Sequence, residues 1–279
     1  MIYLGTLGRM VPVGCVADQR VVSADRYAFQ TTLEGRVKAQ ARPVGRRVWD
    51  LRLPQTSTPT DLAQVEAFAH GGWGPGPFRF VPTEAPITNL LPPDVAACKS
   101  HENPSVVIMD GGPMVQPDGS WSPSSYMNPN PSLTMFFGVA DGPGFGPGHA
   151  IPVLPGGVVT AAVTLLGEAA NVTLRFYDAA DVNISTFESP VQATAGTPVR
   201  SFVTGQVPSR AVACRITARN TVQGSMPQVT WTNGPVDWSG GRGCKAAVVL
   251  GGSRDLVMSG HRGSDRTYEG LDFSVQEVG

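Results

Sequence analysis

Apolar and polar residues alternate with a period of two along much of the chain, the pattern of half-buried strands. Arg46-Arg47-Val48-Trp49-Asp50-Leu51-Arg52-Leu53 is the clearest case. Trp49, Leu51 and Leu53 fall on one face, and Val48, Asp50 and Arg52 on the other. Residues 20–22 and 27–33 are shorter and rich in β formers. Further strands are expected at 158–166, 172–177, 200–204, 211–218 and 228–232, with turn signals between them. The sequence ends with three more, at 246–250, 255–259 and 270–277. In the last, Leu271, Phe273, Val275 and Glu277 alternate with Asp272, Ser274 and Gln276.

One stretch has helical spacing instead. Thr58 is placed to cap, Pro59 suits the first turn, and Asp61 stands three residues after the cap. Leu62, Val65, Phe68 and Ala69 then recur on one face, and Gly71 stops the helix. A stiff loop follows, Gly71-Gly72-Trp73-Gly74-Pro75-Gly76-Pro77, and Phe78 and Phe80 open another strand. Asn89-Leu90-Leu91-Pro92-Pro93 reads as a linker. No helix is expected between 101 and 236, where the spacing suggests an antiparallel sandwich or jelly roll. No internal repeat is evident, and the fold class is mainly β.

Composition sharpens this picture. The 279 residues include 33 Gly and 25 Pro spread along the chain, and only 15% are charged. That fits many short strands joined by turns. The formal net charge is −1, which argues against the broad basic surface of a nucleic-acid binder. The richest basic stretch is Arg36, Lys38, Arg42, Arg46 and Arg47. It reads as a solvated strand face or as an electrostatic contact with a neighbouring subunit. The N-terminus lacks the charged and apolar regions of a secretory leader. The longest apolar run, 158–166, is about half a membrane span. A soluble chain without membrane insertion is therefore expected.

Candidate chemistry is sparse. Cys15, Cys98, Cys214 and Cys244 lack the close spacing of a zinc or dithiol site, so free thiols are expected. His70, His101, His149 and His261 show no metal-binding spacing. Gly251-Gly252-Ser253-Arg254 reads as a turn and not as a nucleophile elbow. No phosphate- or dinucleotide-binding fingerprint occurs, and the carboxylates are scattered. The expectation is a protein without catalytic residues, cofactor or metal, with a cell-envelope hydrolase as the remote alternative. The aromatics Trp121, Tyr126, Phe145 and Trp231 suit either a sugar-stacking platform or a sandwich core. Trp73 suits either an intersubunit anchor or a plug for its own core.

The order of features around the helix carries a resemblance. Val48-Trp49-Asp50-Leu51-Arg52-Leu53 leads to the helix beginning at Pro59. Gly74-Pro75-Gly76-Pro77-Phe78-Arg79-Phe80 and Asn89-Leu90-Leu91-Pro92 follow, and Tyr268-Glu269-Gly270-Leu271-Asp272-Phe273-Ser274-Val275-Gln276-Glu277-Val278 closes the set. Together these resemble the distal tail and minor tail proteins of siphophages that infect actinobacteria. The resemblance implies a split, tail-tube-like β-barrel or sandwich domain with one helix, formed by residues 1–100 with 237–279. Residues 101–236 would be an inserted jelly-roll-like β-sandwich, comparable to a carbohydrate-binding module. It also implies a ring, hexameric in the family, joining the tail tube to the tip complex around the DNA channel. The partners would be the tail tube, tape measure and tail-tip hub proteins. The location would be the virion tail tip, after synthesis in the host bacterial cytoplasm. Trp73, Pro75, Phe78, Arg46 and Arg47 are the candidate subunit contacts. Trp121, Tyr126 and Trp231 are the candidate contacts to host cell-wall glycan.

Overall fold

A computed structural model of the protein describes residues 1–23, 27–31, 34–41, 46–54, 57–99, 109–122, 124–128, 130–132, 134–137, 150–194, 196–258 and 267–278. The protein is mainly β. The chain opens with β1 (Ile2–Thr6), β2 (Arg9–Val13), β3 (Asp18–Ser23), β4 (Tyr27–Thr31), β5 (Val37–Ala41) and β6 (Arg47–Leu53). Helix α1 (Pro59–Ala69) and β7 (Phe78–Val81) follow. A 3-10 turn (Ala85–Ile87) and the short helix α2 (Pro93–Ala96) lead into β8 (Met109–Asp110), β9 (Met114–Val115), β10 (Trp121–Ser122), β11 (Tyr126–Met127), β12 (Met135–Phe136) and β13 (Ile151–Pro152). Longer strands come next: β14 (Val158–Leu166), β15 (Asn171–Tyr177), β16 (Asn183–Glu188), β17 (Val199–Gln206), β18 (Ala213–Arg219) and β19 (Gln223–Thr230). Finally come β20 (Cys244–Leu250), β21 (Arg254–Met258) and β22 (Thr267–Glu277).

Two compact units result. The first comprises residues 1–5, 11–80 and 245–279, and the second 6–10 and 81–244. Residues 81–100 and 237–244, grouped with the N-terminal segment in the sequence division, fall in the second unit. The reason is local: Asn89, Leu90 and Asp237 are hydrogen-bonded to β19.

The main sheet of the first unit runs β2-β1-β7-β20-β22-β6-β3, with β21 also paired to β22. The closing strand therefore lies beside β6. The register sets Leu271 opposite Leu53, Phe273 opposite Leu51 and Val275 opposite Trp49. All six are buried, because the period-two alternation of both strands turns their apolar sets to the same face. The other face carries Asp272 near Arg52, at 3.6 Å, and the Ser274 hydroxyl, which donates to Asp50 at 2.7 Å. The Arg52–Asp272 pair is half exposed, so it fixes register more than it stabilises. Trp49 meets Phe80 edge-on at 4.9 Å in the core. Helix α1 starts at the expected capping box: the Asp61 amide donates to Thr58 Oγ1, and the Thr58 amide donates to the Asp61 carboxylate. Leu62, Val65 and Phe68 are its buried positions.

The second unit is a sandwich of two antiparallel sheets. One runs β17-β14-β19-β11-β8; the other runs β12-β18-β15-β16, with β13 also on β18. The core comes from alternating positions: Val159, Ala161, Val163 and Leu165 on β14, Val172, Leu174 and Phe176 on β15, and Cys214, Ile216 and Ala218 on β18. Phe187 of β16 packs edge-on against Phe176 at 5.9 Å. It lies so close to Gly205 of β17 that a Cβ there would sit 2.7 Å from its ring. β19 begins earlier than the alternation suggested. It passes through Met226 in the left-handed region (φ 53°) and Pro227, and its register against β14 shifts at that point, as at a bulge.

Two substitutions test this packing. Phe273→Ala should cost about 3–5 kcal/mol, and Gly205→Ala about 1–3 kcal/mol from overpacking against Phe187. Denaturant unfolding with matched far-ultraviolet dichroism measures both.

Candidate functional site

The loop from Gly71 to Phe80 places the first candidate residues. His70 caps α1, its amide donating to the Glu66 carbonyl at 2.8 Å, and Gly71 then adopts φ 79°. This reversal lays Trp73 flat on Phe68, with ring centroids 5.1 Å apart and planes 9° apart. Phe78 meets Phe68 edge-on from another side at 4.9 Å. Trp73 is 38% exposed, so it both covers the end of the helix and presents a ring edge to solvent. Pro75 is exposed beside it. Phe78 departs from the expectation of a subunit contact. It is only 4% exposed, in its own core, because a strand beginning after the loop turns its first aromatic inward.

Arg46 and Arg47 also separate. Arg46 is exposed. Arg47 is not a free surface cation: its Nε and one terminal nitrogen each donate to the Glu277 carboxylate at 2.9 Å. Its guanidinium also lies 4.7 Å from the centroid of the Trp49 ring. Both side chains of the ion pair are mostly covered, at 12% and 15% exposure. This bidentate pair fastens the end of β22 to the start of β6. The exposed members of the candidate set are Arg46, Trp73 and Pro75, and the other two hold the unit together.

The aromatic set of the sandwich divides likewise. Trp121 is 67% exposed, opposite Val115 in the β9–β10 hairpin. Asp118 accepts hydrogen bonds from the Ser120 amide and hydroxyl at the tip, which hold its pKa below the usual carboxylate value. Gln116 anchors the base: its side-chain amide donates to the Met114 carbonyl and the Ser225 hydroxyl. Tyr126 lies away from the surface that a glycan would meet. It is 1% exposed and tilted against Phe137 at 5.9 Å, since β11 turns it into the core. Trp231 is half-buried after β19, with its amide bonded to the Pro86 carbonyl. Phe145, His101, His149, His261 and Arg42 lie outside the described residues.

Among the described residues no group of histidine, cysteine and carboxylate side chains could hold a metal ion, and no helix is long and apolar enough to cross a membrane. None of the four cysteines is in a disulfide: Cys15 is exposed, and Cys98, Cys214 and Cys244 are buried. Burial pushes the Cys214 thiol far above its usual pKa.

Sequence reasoning missed two buried polar arrangements. Arg215, 2% exposed, pairs with Asp181 at 2.7 Å and lies over the Tyr177 ring at 4.2 Å. Asn89, fully buried, donates to the Pro227 and Ser239 carbonyls and accepts from the Leu91 and Val229 amides. Gln228 beside it donates to the Thr88 and Asp237 carbonyls and accepts from Arg200. Burial lowers the Arg200 pKa to about 10, which leaves it charged at neutral pH. The spacing of these residues carried no signal, because most of their partners are distant in sequence.

Among solved structures, the chain is similar to the Dit protein of phage SPP1, described as a paradigm of the hub adsorption apparatus in phages infecting Gram-positive bacteria. The identity is 12%, the match covers 82% of this chain and 99% of that one, and the TM-score is 0.19. No family model and no curated protein matches the chain.

The thiol environments predict a simple labelling pattern. A maleimide reagent should modify Cys15 in the folded protein and the other three cysteines only after denaturation, as read by intact mass. Rapid native labelling of Cys214 would contradict the packing of β18.

Proposed function

We propose that the protein is a structural, non-catalytic component of a siphophage tail tip. In this reading it forms a ring, hexameric as in the family it resembles, that joins the tail tube to the tip complex. The observation that carries the reading is the return of β22 onto β6, directly before the capped helix α1. That order of closing strand, β6 and helix is the one the sequence resemblance implies. Trp73 and Pro75 are exposed on a stiff loop and Arg46 before β6, and aromatics and arginine are residue types that subunit interfaces use. A ring needs one such heterologous contact repeated until it closes. The tail tube, tape measure and hub proteins would be the neighbours, and the sandwich would support fibres or touch the host.

A second reading rests on one observation, the 67% exposure of Trp121 on an anchored hairpin. There the sandwich attaches to cell-wall glycan by stacking a sugar face on the indole. Under it, the full chain binds purified glycan and Trp121→Ala does not; equal binding by both proteins defeats it.

The ring reading is tested by native mass spectrometry and negative-stain imaging of the purified chain, alone and mixed with the tail tube protein. Closed rings are expected, and the double variant Arg46→Glu, Trp73→Ala should shift the population to monomers. A chain that stays monomeric under both conditions contradicts the proposal.

A further inference from the structure

Residues 232–243 cross from β19 to β20 as a strap without regular secondary structure. They run against the outer face of the β17-β14-β19-β11-β8 sheet. Two properties of this strap are unusual for a segment so well held. None of its side chains is buried: Trp238 is 36% exposed, Val236 is half-buried, and only the glycines Gly241 and Gly243 are fully covered. The face it meets carries Thr160, Gln228 and Thr230, each at most 2% exposed, with Ala162 buried among them.

What fastens the strap is therefore hydrogen bonding. Thr160 donates to the Thr232 carbonyl at 2.7 Å and accepts from the Gly234 amide at 3.0 Å. Gln228 donates to the Asp237 carbonyl at 2.9 Å, and Asn89 donates to the Ser239 carbonyl at 3.0 Å. The Arg242 and Gly243 amides donate to the Asn89 and Leu91 carbonyls at 2.9 and 3.1 Å. At that end the two backbones run so close that a Cβ on Gly243 would overlap the Leu90 carbonyl.

We infer that this strap is a releasable latch that opens while the sandwich beneath it stays folded. The sandwich core of Val159, Ala161, Val163 and Leu165 lies on the inner face of the sheet, away from the strap. Opening uncovers mainly hydroxyls and amides that water re-bonds, with the covered part of Trp238 and Val236 as the apolar contribution, so the hydrophobic penalty is smaller than for opening a core strand. Segments held in this way open locally, far more often than the whole unit unfolds. Release frees twelve residues, or about 40 Å of extended chain, in the connection between β19 and β20. The inference does not rest on the tail-tip reading.

Native-state hydrogen exchange on the full chain tests it. The Gly234, Arg242 and Gly243 amides should exchange at least a hundredfold faster, after correction for intrinsic rates, than the β15 and β18 amides. Gly243→Ala, which forces the strap end off Leu90, and Thr160→Val, which removes its first anchor, should each speed strap exchange about tenfold or more, a factor equivalent to about 1.4 kcal/mol. Core exchange should stay unchanged. Trypsin should cut the folded chain after Arg242 without loss of sandwich dichroism. Strap amides that exchange in step with β15 and β18 overturn the inference. That wild-type comparison stands by itself should a variant fail to fold.

Discussion

The chain leaves its first sheet after β7 and rejoins that sheet at β20, and so long an excursion has an entropic cost that contacts at both ends must offset. Two kinds of contact do so. In the first unit, β22 pairs with β6 through three buried apolar pairs, and the Arg47–Glu277 ion pair fastens the strand end. In the second, Asn89 uses both its donors and its acceptor to tie the incoming segment to β19 and to the outgoing strap. Each device uses residues far apart in sequence, so neither unit is complete until late parts of the chain are in place.

The two devices differ in chemistry, and the difference matters. The β6–β22 seam is apolar on one face and ion-paired at its end, so opening it would expose Trp49, Phe273 and Val275. The Asn89 and Gln228 bonds are polar throughout. An apolar seam resists partial opening, whereas a strap fastened mainly by hydrogen bonds opens at lower cost.

Much of the fold was legible where one element's own sequence decided it. The alternation in 46–53 and 270–277 placed β6 and β22 and the faces they bury, and Thr58, Pro59 and Asp61 placed the start of α1. β16 was not legible: its Asn183-Ile184-Ser185-Thr186-Phe187-Glu188 is a half-exposed edge strand with weak alternation. The first part of β19 was hidden by Gly224 and Pro227, both weak strand residues; Gly224 pairs in register with Leu165, and a bulge takes up Pro227. The candidate sites were less legible still. Exposure of an aromatic or arginine depends on partners that spacing does not reveal. Trp73 and Arg46 remain at the surface, while Phe78, Tyr126 and Arg47 are taken up by contacts within their own units. The Asn89 clamp gave no sequence signal, since Val229, whose amide it accepts from, stands 140 residues away.

The tail-tip assignment is tested most directly by locating the protein in the virion. Antibodies raised against the purified chain would be gold-labelled and imaged on intact phage particles. The account predicts label confined to the tail end distal to the capsid, at the junction of tube and tip. Label on the capsid or along the whole tube, or particles carrying none of the protein, would contradict it.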